Sequence, residues 1–171
     1  TANLGIDSAD DVSSTATVSG SFPVSGNTMT FSETDAGTFT IDKQGSVSNP
    51  TVGEDAATIA KFSANAGTED ALFEQIAVNV DDAKDHSNYQ LWDNDNNLLA
   101  DGARSGDLVT FVISPGFEIE EGDTENFEIT ADIGGESAED IMVAVEEAAD
   151  VMAIGGDYGF NMNINIDDYD E

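Results

Sequence analysis

The chain has 171 residues, enough for one domain of ordinary size with some extra strands. Its 36 Asp and Glu stand against 4 Lys and Arg, a formal net charge of −32; nucleic acid and anionic membrane are excluded as electrostatic partners, because both would repel it. There is no Cys, which excludes thiol catalysis and Cys-ligated zinc, and no apolar run approaches the length of a membrane-spanning helix, so membrane insertion is not expected.

Hydrophobic residues make up 39% of the chain. They fall in alternating runs, which argues for a folded β protein against disorder. The first runs are SSTATVSGSF, NTMTFSE and GTFTID, rich in Thr and Val and separated by Gly20, Gly26-Asn27 and Gly37. They read as short strands. Ser48-Asn49-Pro50 is a break. From Ala57 the alternation strengthens, with Ala60, Phe62, Ala64 and Ala66 on one face, then Ile76, Val78 and Val80. NYQLWD and NLLAD flank Asn94-Asp95-Asn96 as a hairpin. DLVTFVI is apolar enough for a central strand, and Phe127, Ile129, Ala131 and Ile133 face inward after a turn at Glu121-Gly122-Asp123. DIMVAVEEA is read as a strand on the alternation of Ile141, Val143 and Val145, with a helix as the competing reading. In GFNMNINIDDYDE, Phe160, Met162, Ile164 and Ile166 alternate with polar residues, the pattern of a half-buried strand. No tandem repeat is evident.

Strands at this spacing predict an all-β fold, an immunoglobulin-like or jelly-roll β-sandwich with extra N- and C-terminal strands. The expected division is residues 1–36 as N-terminal strands and intersubunit segment, 37–155 as the sandwich, and 156–171 as a C-terminal strand and acidic tail.

The residues Ala60-Lys61-Phe62, Leu91-Trp92-Asp93, Ile119 to Gly122 and Ala131-Asp132-Ile133 occur in an order that resembles one immunoglobulin-like repeat of secreted bacterial surface-layer, adhesin and pilus-like proteins of the candidate phyla. The resemblance runs from about Gly37 to Gly155, marks a fold and brings no catalytic residues. Ala36-Gly37-Thr38-Phe39 and Asn49-Pro50 also resemble phrases of camelysin-type biofilm fibre proteins, jelly-roll domains that polymerise by strand donation. Both resemblances imply a secreted protein at the cell surface whose partner is itself. A signal peptide removed before Thr1 is then expected.

Asp93, Asp95, Asn97 and Asp101 are the best metal candidates, since oxygen ligands at alternate positions of a tight loop suit calcium. The competing reading is a polar hairpin turn, which Asn and Asp also favour. Full EF-hand spacing is not met: Leu98 stands where Gly is needed and Arg104 where Glu is needed. Asp81, Asp82 and Asp85, then Asp7, Asp10 and Asp11, then Asp167, Asp168 and Asp170 are further acidic loops. The solitary His86 has no ligand or nucleophile partner in sequence, and Glu120-Glu121 and Glu146-Glu147 are acid pairs of a kind expected by chance among so many carboxylates. No catalytic residue is expected. Phe160, Met162, Ile164, Ile166 and Tyr169 are the expected interface.

These readings converge on a structural subunit of an extracellular filament or surface array. It would assemble by strand addition, with calcium or salt neutralising the acidic surface. The donor strand would be the C-terminal one or, alternatively, Ser14 to Phe22. The rival is a monomeric secreted module that binds glycans or other surface proteins.

Overall fold

The computed structural model describes residues 2–30, 36–136 and 141–167. Contacts divide the chain into two units, residues 1–35 and residues 36–171.

The first unit is a two-stranded ribbon. β1 (Ala2–Ile6) pairs antiparallel with β2 (Val24–Met29), Ile6 opposite Val24 and Asn3 opposite Thr28. A short 3-10 turn, Ala9–Asp11, follows β1. The stretch expected as a strand, Ser14 to Phe22, contains no strand, and β1 was not expected. Thr-rich alternation is a preference for a pleated, half-buried surface, and among the described residues no strand pairs with this stretch. None of the ribbon's residues whose exposure is described is buried.

The second unit is all β, as the alternation predicts, and its sheet curls into two facing layers. One layer runs, in spatial order, β12 (Asn163–Ile166), β3 (Thr38–Lys43), β4 (Ala57–Ala66), β9 (Thr124–Asp132), β6 (Ser87–Asp93) and the first half of β7 (Leu98–Ser105). The other runs from the second half of β7 through β8 (Leu108–Ile119) to β5 (Ala71–Val80), which carries β10 (Val143–Ala144) and β11 (Val151–Gly155) in tandem along its far edge.

β7 passes between layers at Gly102. Its first half pairs with β6, and from Gly102 on it pairs with β8. A Cβ at Gly102 would lie 2.7 Å from both Tyr89 and Val109, so the corner has room only for glycine. Tyr89 is buried beside it and donates its hydroxyl to the Ala83 carbonyl at 2.9 Å. Burial pushes the Tyr89 pKa up to about 12.

Between the layers, Phe73 meets Phe39 and Phe127 with ring centroids 5.3 and 5.5 Å apart, and Phe62 and Phe117 each meet Phe127 at 5.2 Å. Ile76, Val78 and Val80 are buried as their alternation predicts, as are Phe127, Ile129, Ala131 and Ile133. Phe62, Ala64 and Ala66 are buried too, but Ala60 is only half-buried. A bulge between Thr58 and Ala60 shifts the face there, and Ile59 turns in.

The expected C-terminal piece, 156–171, does not stand apart. β12 lies parallel to β3, Ile164 opposite Phe39 and Ile166 opposite Ile41, so residues 156–167 belong to the sandwich.

Candidate functional site

Two edges of the curled sheet, β11 on one layer and β3 on the other, face each other across a seam. The segment 160–167 spans it. Asn161 bridges Ile154, Met162 donates its backbone N–H to Ala153 at 2.9 Å, and Asn163 then donates to Gly37 at 2.7 Å. Within four residues the chain passes from one layer to the other.

The crossing is fastened by Glu69, 7% exposed. One carboxylate oxygen accepts the Gly37 N–H at 2.8 Å and the other the Asp157 N–H at 3.0 Å. A buried carboxylate needs such partners to offset the loss of water. It also needs space: a Cβ at Gly37 or at Gly155 would stand about 2.6 or 2.5 Å from the Glu69 side chain. Thus Gly37, Glu69 and Gly155 form one clasp. No spacing in the sequence marks these three as neighbours.

Beyond the clasp the seam opens. β10 pairs only with β5, and β12 has β3 as its sole strand partner among the described residues. Between these two edges lies a cavity of about 500 Å³, lined by apolar side chains that include Ile41, Val78, Ile129, Val143, Val145 and Ile166. Lys43 and Lys61, two of the chain's four cationic residues, also line it. On the outer side of the same edge, Asp42 lies against Asp167. Partial burial, the Asp167 charge and a hydrogen bond between the two raise the Asp42 pKa above the ordinary carboxylate value.

The predicted interface residues divide. Met162 is buried, Ile164 and Ile166 are half-buried, and all three belong to the chain's own sandwich. Phe160 does not face inward as its alternation implied; it is 71% exposed, because it sits in the turn before β12 where pairing with Gly155 sets the backbone and the side chain projects outward. Tyr158 beside it is 58% exposed. Tyr169 lies outside the described residues, as do Asp168 and Asp170.

Asp93, Asp95 and Asn97 do come together, as a turn. The Asp93 carboxylate accepts the backbone N–H of Asp95 at 2.9 Å and of Asn97 at 2.8 Å, and the Asn97 side-chain amide at 2.8 Å. These bonds close the β6–β7 hairpin. Asp101 is not part of the cluster; it lies along β7 opposite Gln90, whose amide donates to it at 3.2 Å. Among the described residues no three acidic or histidine side chains converge as metal ligands. Other acidic residues likewise serve local structure. Asp82 and Asp85 flank Lys84 at 2.8 and 3.4 Å, Glu146 accepts from Asn79 at 3.2 Å, and Asp150 accepts the Glu147 N–H at 3.1 Å at the start of a 3-10 turn. His86 is buried and accepts the Gly134 N–H at 3.3 Å. Trp92 lies half-buried on the outer side of its sheet and donates to the Thr130 hydroxyl at 3.0 Å.

The ribbon holds the surface that the sequence reading missed. Leu4, Ile6, Val24 and Met29 are 77, 39, 52 and 48% exposed. Pairing places Ile6 against Val24, and strand alternation puts Leu4 on the same side as Ile6. Met29 stands opposite the residue two before Leu4 and so joins that side. Asn3, Gly5, Ser25 and Thr28 take the other. The alternating Leu4 and Ile6 were the available signal, in a strand too short to stand out.

The family-model scan and the searches of curated proteins and solved structures return no match for the chain.

Proposed function

We propose that this protein is a structural, non-enzymatic subunit of an extracellular filament or surface array, built by addition of β-strands between copies. The observation that carries this reading is the ribbon's apolar face. A two-stranded ribbon is marginal in water, and this one has an exposed apolar side and no buried residue among those described. Covering a side chain of this size contributes about 1.5–3 kcal/mol. Four of them supply a joint, even after the ordering cost of association. The open seam between β10 and β12 of the sandwich offers a place for an added strand among the described residues.

The charge fits the same role. At −32, copies repel one another unless counter-ions intervene. Salt near 1 M shortens that repulsion to about 3 Å, and calcium would bind carboxylates of neighbouring copies directly. Assembly is then favoured by salt or by millimolar calcium.

Light scattering coupled to size exclusion, over a range of protein, salt and calcium concentrations, tests the proposal. The expected result is concentration-dependent association that is lost in Leu4→Asp/Val24→Asp, with the sandwich still folded. A chain that stays monomeric under every condition sinks it. That outcome would favour the second reading, a monomeric surface module, for which the exposed pair Tyr158 and Phe160 offers aromatic faces to a glycan.

A further inference from the structure

We infer that residues 2–12 are a second version of the segment 141–151, and that in the assembly they lie on β5 of a second copy, where that copy's residues 141–151 would otherwise sit. This rests on the self-assembly proposed above and names its joint.

The likeness is local and geometric. Ser8-Ala9-Asp10-Asp11-Val12 and Glu147-Ala148-Ala149-Asp150-Val151 form similar 3-10 turns that share one capping bond, although the Ser8 hydroxyl also accepts the Asp10 N–H and the Glu147 side chain makes no such bond. In the first, the Ser8 N–H donates to the Asp11 carboxylate at 2.9 Å; in the second, the Glu147 N–H donates to the Asp150 carboxylate at 3.1 Å. The capping residues have φ/ψ of −146/166 and −135/149, and the valines −109/110 and −117/133. Each valine turns its N–H back onto the first alanine of its turn.

One capped turn alone would mean little. Here the preceding residues agree as well. At one constant offset, Leu4 and Ile6 of β1 correspond to Val143 and Val145, and Asp7 to Glu146.

What differs is the support. Residues 141–155 lie on β5, with Val143 opposite Val80 and Val151 opposite Ile76. Residues 2–12 have no such sheet within their unit and pair with 24–29 alone. That pairing uses one edge of β1 and leaves the other for a strand like β5, so the ribbon can add without opening.

The place it would take is weakly held. β10 pairs with β5 through two residues, Met142 and Glu146 each accept one hydrogen bond, from Asp81 and Asn79, and Val143 and Val145 border the 500 Å³ cavity. By contrast β11 pairs through five residues and ends at the Glu69 clasp. Exchange therefore concerns 141–151 and not the segment that follows.

The absence of native cysteine makes the test direct. Chains carrying Leu4→Cys are mixed with chains carrying Val80→Cys under oxidising conditions, because Leu4 in the place of Val143 stands opposite Val80. Val112→Cys, at a position 60% exposed, is the control acceptor. A disulfide between chains at position 80 and not at 112 is expected, together with loss of association in Leu4→Asp/Ile6→Asp. If Val80→Cys lowers the melting temperature enough to unfold the chain, Asn79→Cys mixed with Gly5→Cys replaces the pair. Association that depends on the ribbon but gives no linkage at 79 or 80 overturns this inference and leaves self-assembly standing. No association at any concentration removes both.

Discussion

β2 and β3 are both six-residue strands close together in the chain, and their environments are opposite. In Val24–Met29 every residue is exposed; in Thr38–Lys43 half-buried and buried residues alternate as far as Asp42. Phe39 and Ile41 of β3 find a second layer beneath them, while Val24 and Met29 of β2 find water. Local sequence chooses an extended backbone in both places. Burial, and with it stability, depends on whether another layer arrives to cover one face.

That contrast can be tested from the largest effect downward. Phe73→Ala, at the centre of the aromatic cluster, is expected to cost about 3–5 kcal/mol in chemical denaturation. Val24→Ala in the ribbon should leave the main transition within about 0.5 kcal/mol. Equal losses at the two sites would mean that the ribbon is part of the cooperative core.

Glu69→Ala comes next. It strips two backbone N–H groups of their acceptor and leaves a void at the clasp, with an expected loss of about 3 kcal/mol. Hydrogen exchange should locate the damage: amides of Gly37, Asp157 and Asn163 should open first, ahead of β5 and β8. Uniform loss of protection would show that the clasp and the core unfold as one unit.

Tyr89 supplies a pH window. Its folded pKa is raised by burial from 10.0 to about 12. The stability tied to its neutral form is complete below pH 10 and is lost as pH rises toward 12. Absorbance of phenolate at alkaline pH should therefore show one tyrosine ionising late and together with unfolding.

The smallest effect belongs to the outer edge of β3. The Asp42 pKa is raised, so the folded state holds that proton more tightly than the unfolded chain does. The linked stability is present at acid pH and is lost as pH rises through the raised value. Asp42→Asn should raise stability at pH 7 by no more than about 0.5 kcal/mol and flatten its decline from acid to neutral pH. An unchanged pH profile would mean that Asp42 and Asp167 do not meet in solution.

The strand read over DIMVAVEEA is realised only at Val143–Ala144, before the 3-10 turn Ala148–Asp150. Strand alternation and turn chemistry were nonetheless enough to identify the all-β class, the inward faces of β5 and β9 and the β6–β7 hairpin. Each depends on a period of two or on Asn and Asp at a turn, signals carried within a few residues. The site was less legible. That Asp93 closes a turn while Asp101 stands apart depends on register between two strands. That Phe160 points outward depends on where the chain leaves β11. The parallel pairing of β12 with β3, the Gly37–Glu69–Gly155 clasp and the open seam beyond it join residues far apart in the chain. No local period encodes such contacts, because they arise only when two layers pack and their edges are brought face to face. Nor could composition tell that one apolar strand face, at Phe39 and Ile41, is covered while another, at Leu4 and Ile6, is left bare. The same alternation encodes both, and only the presence or absence of a second layer distinguishes them.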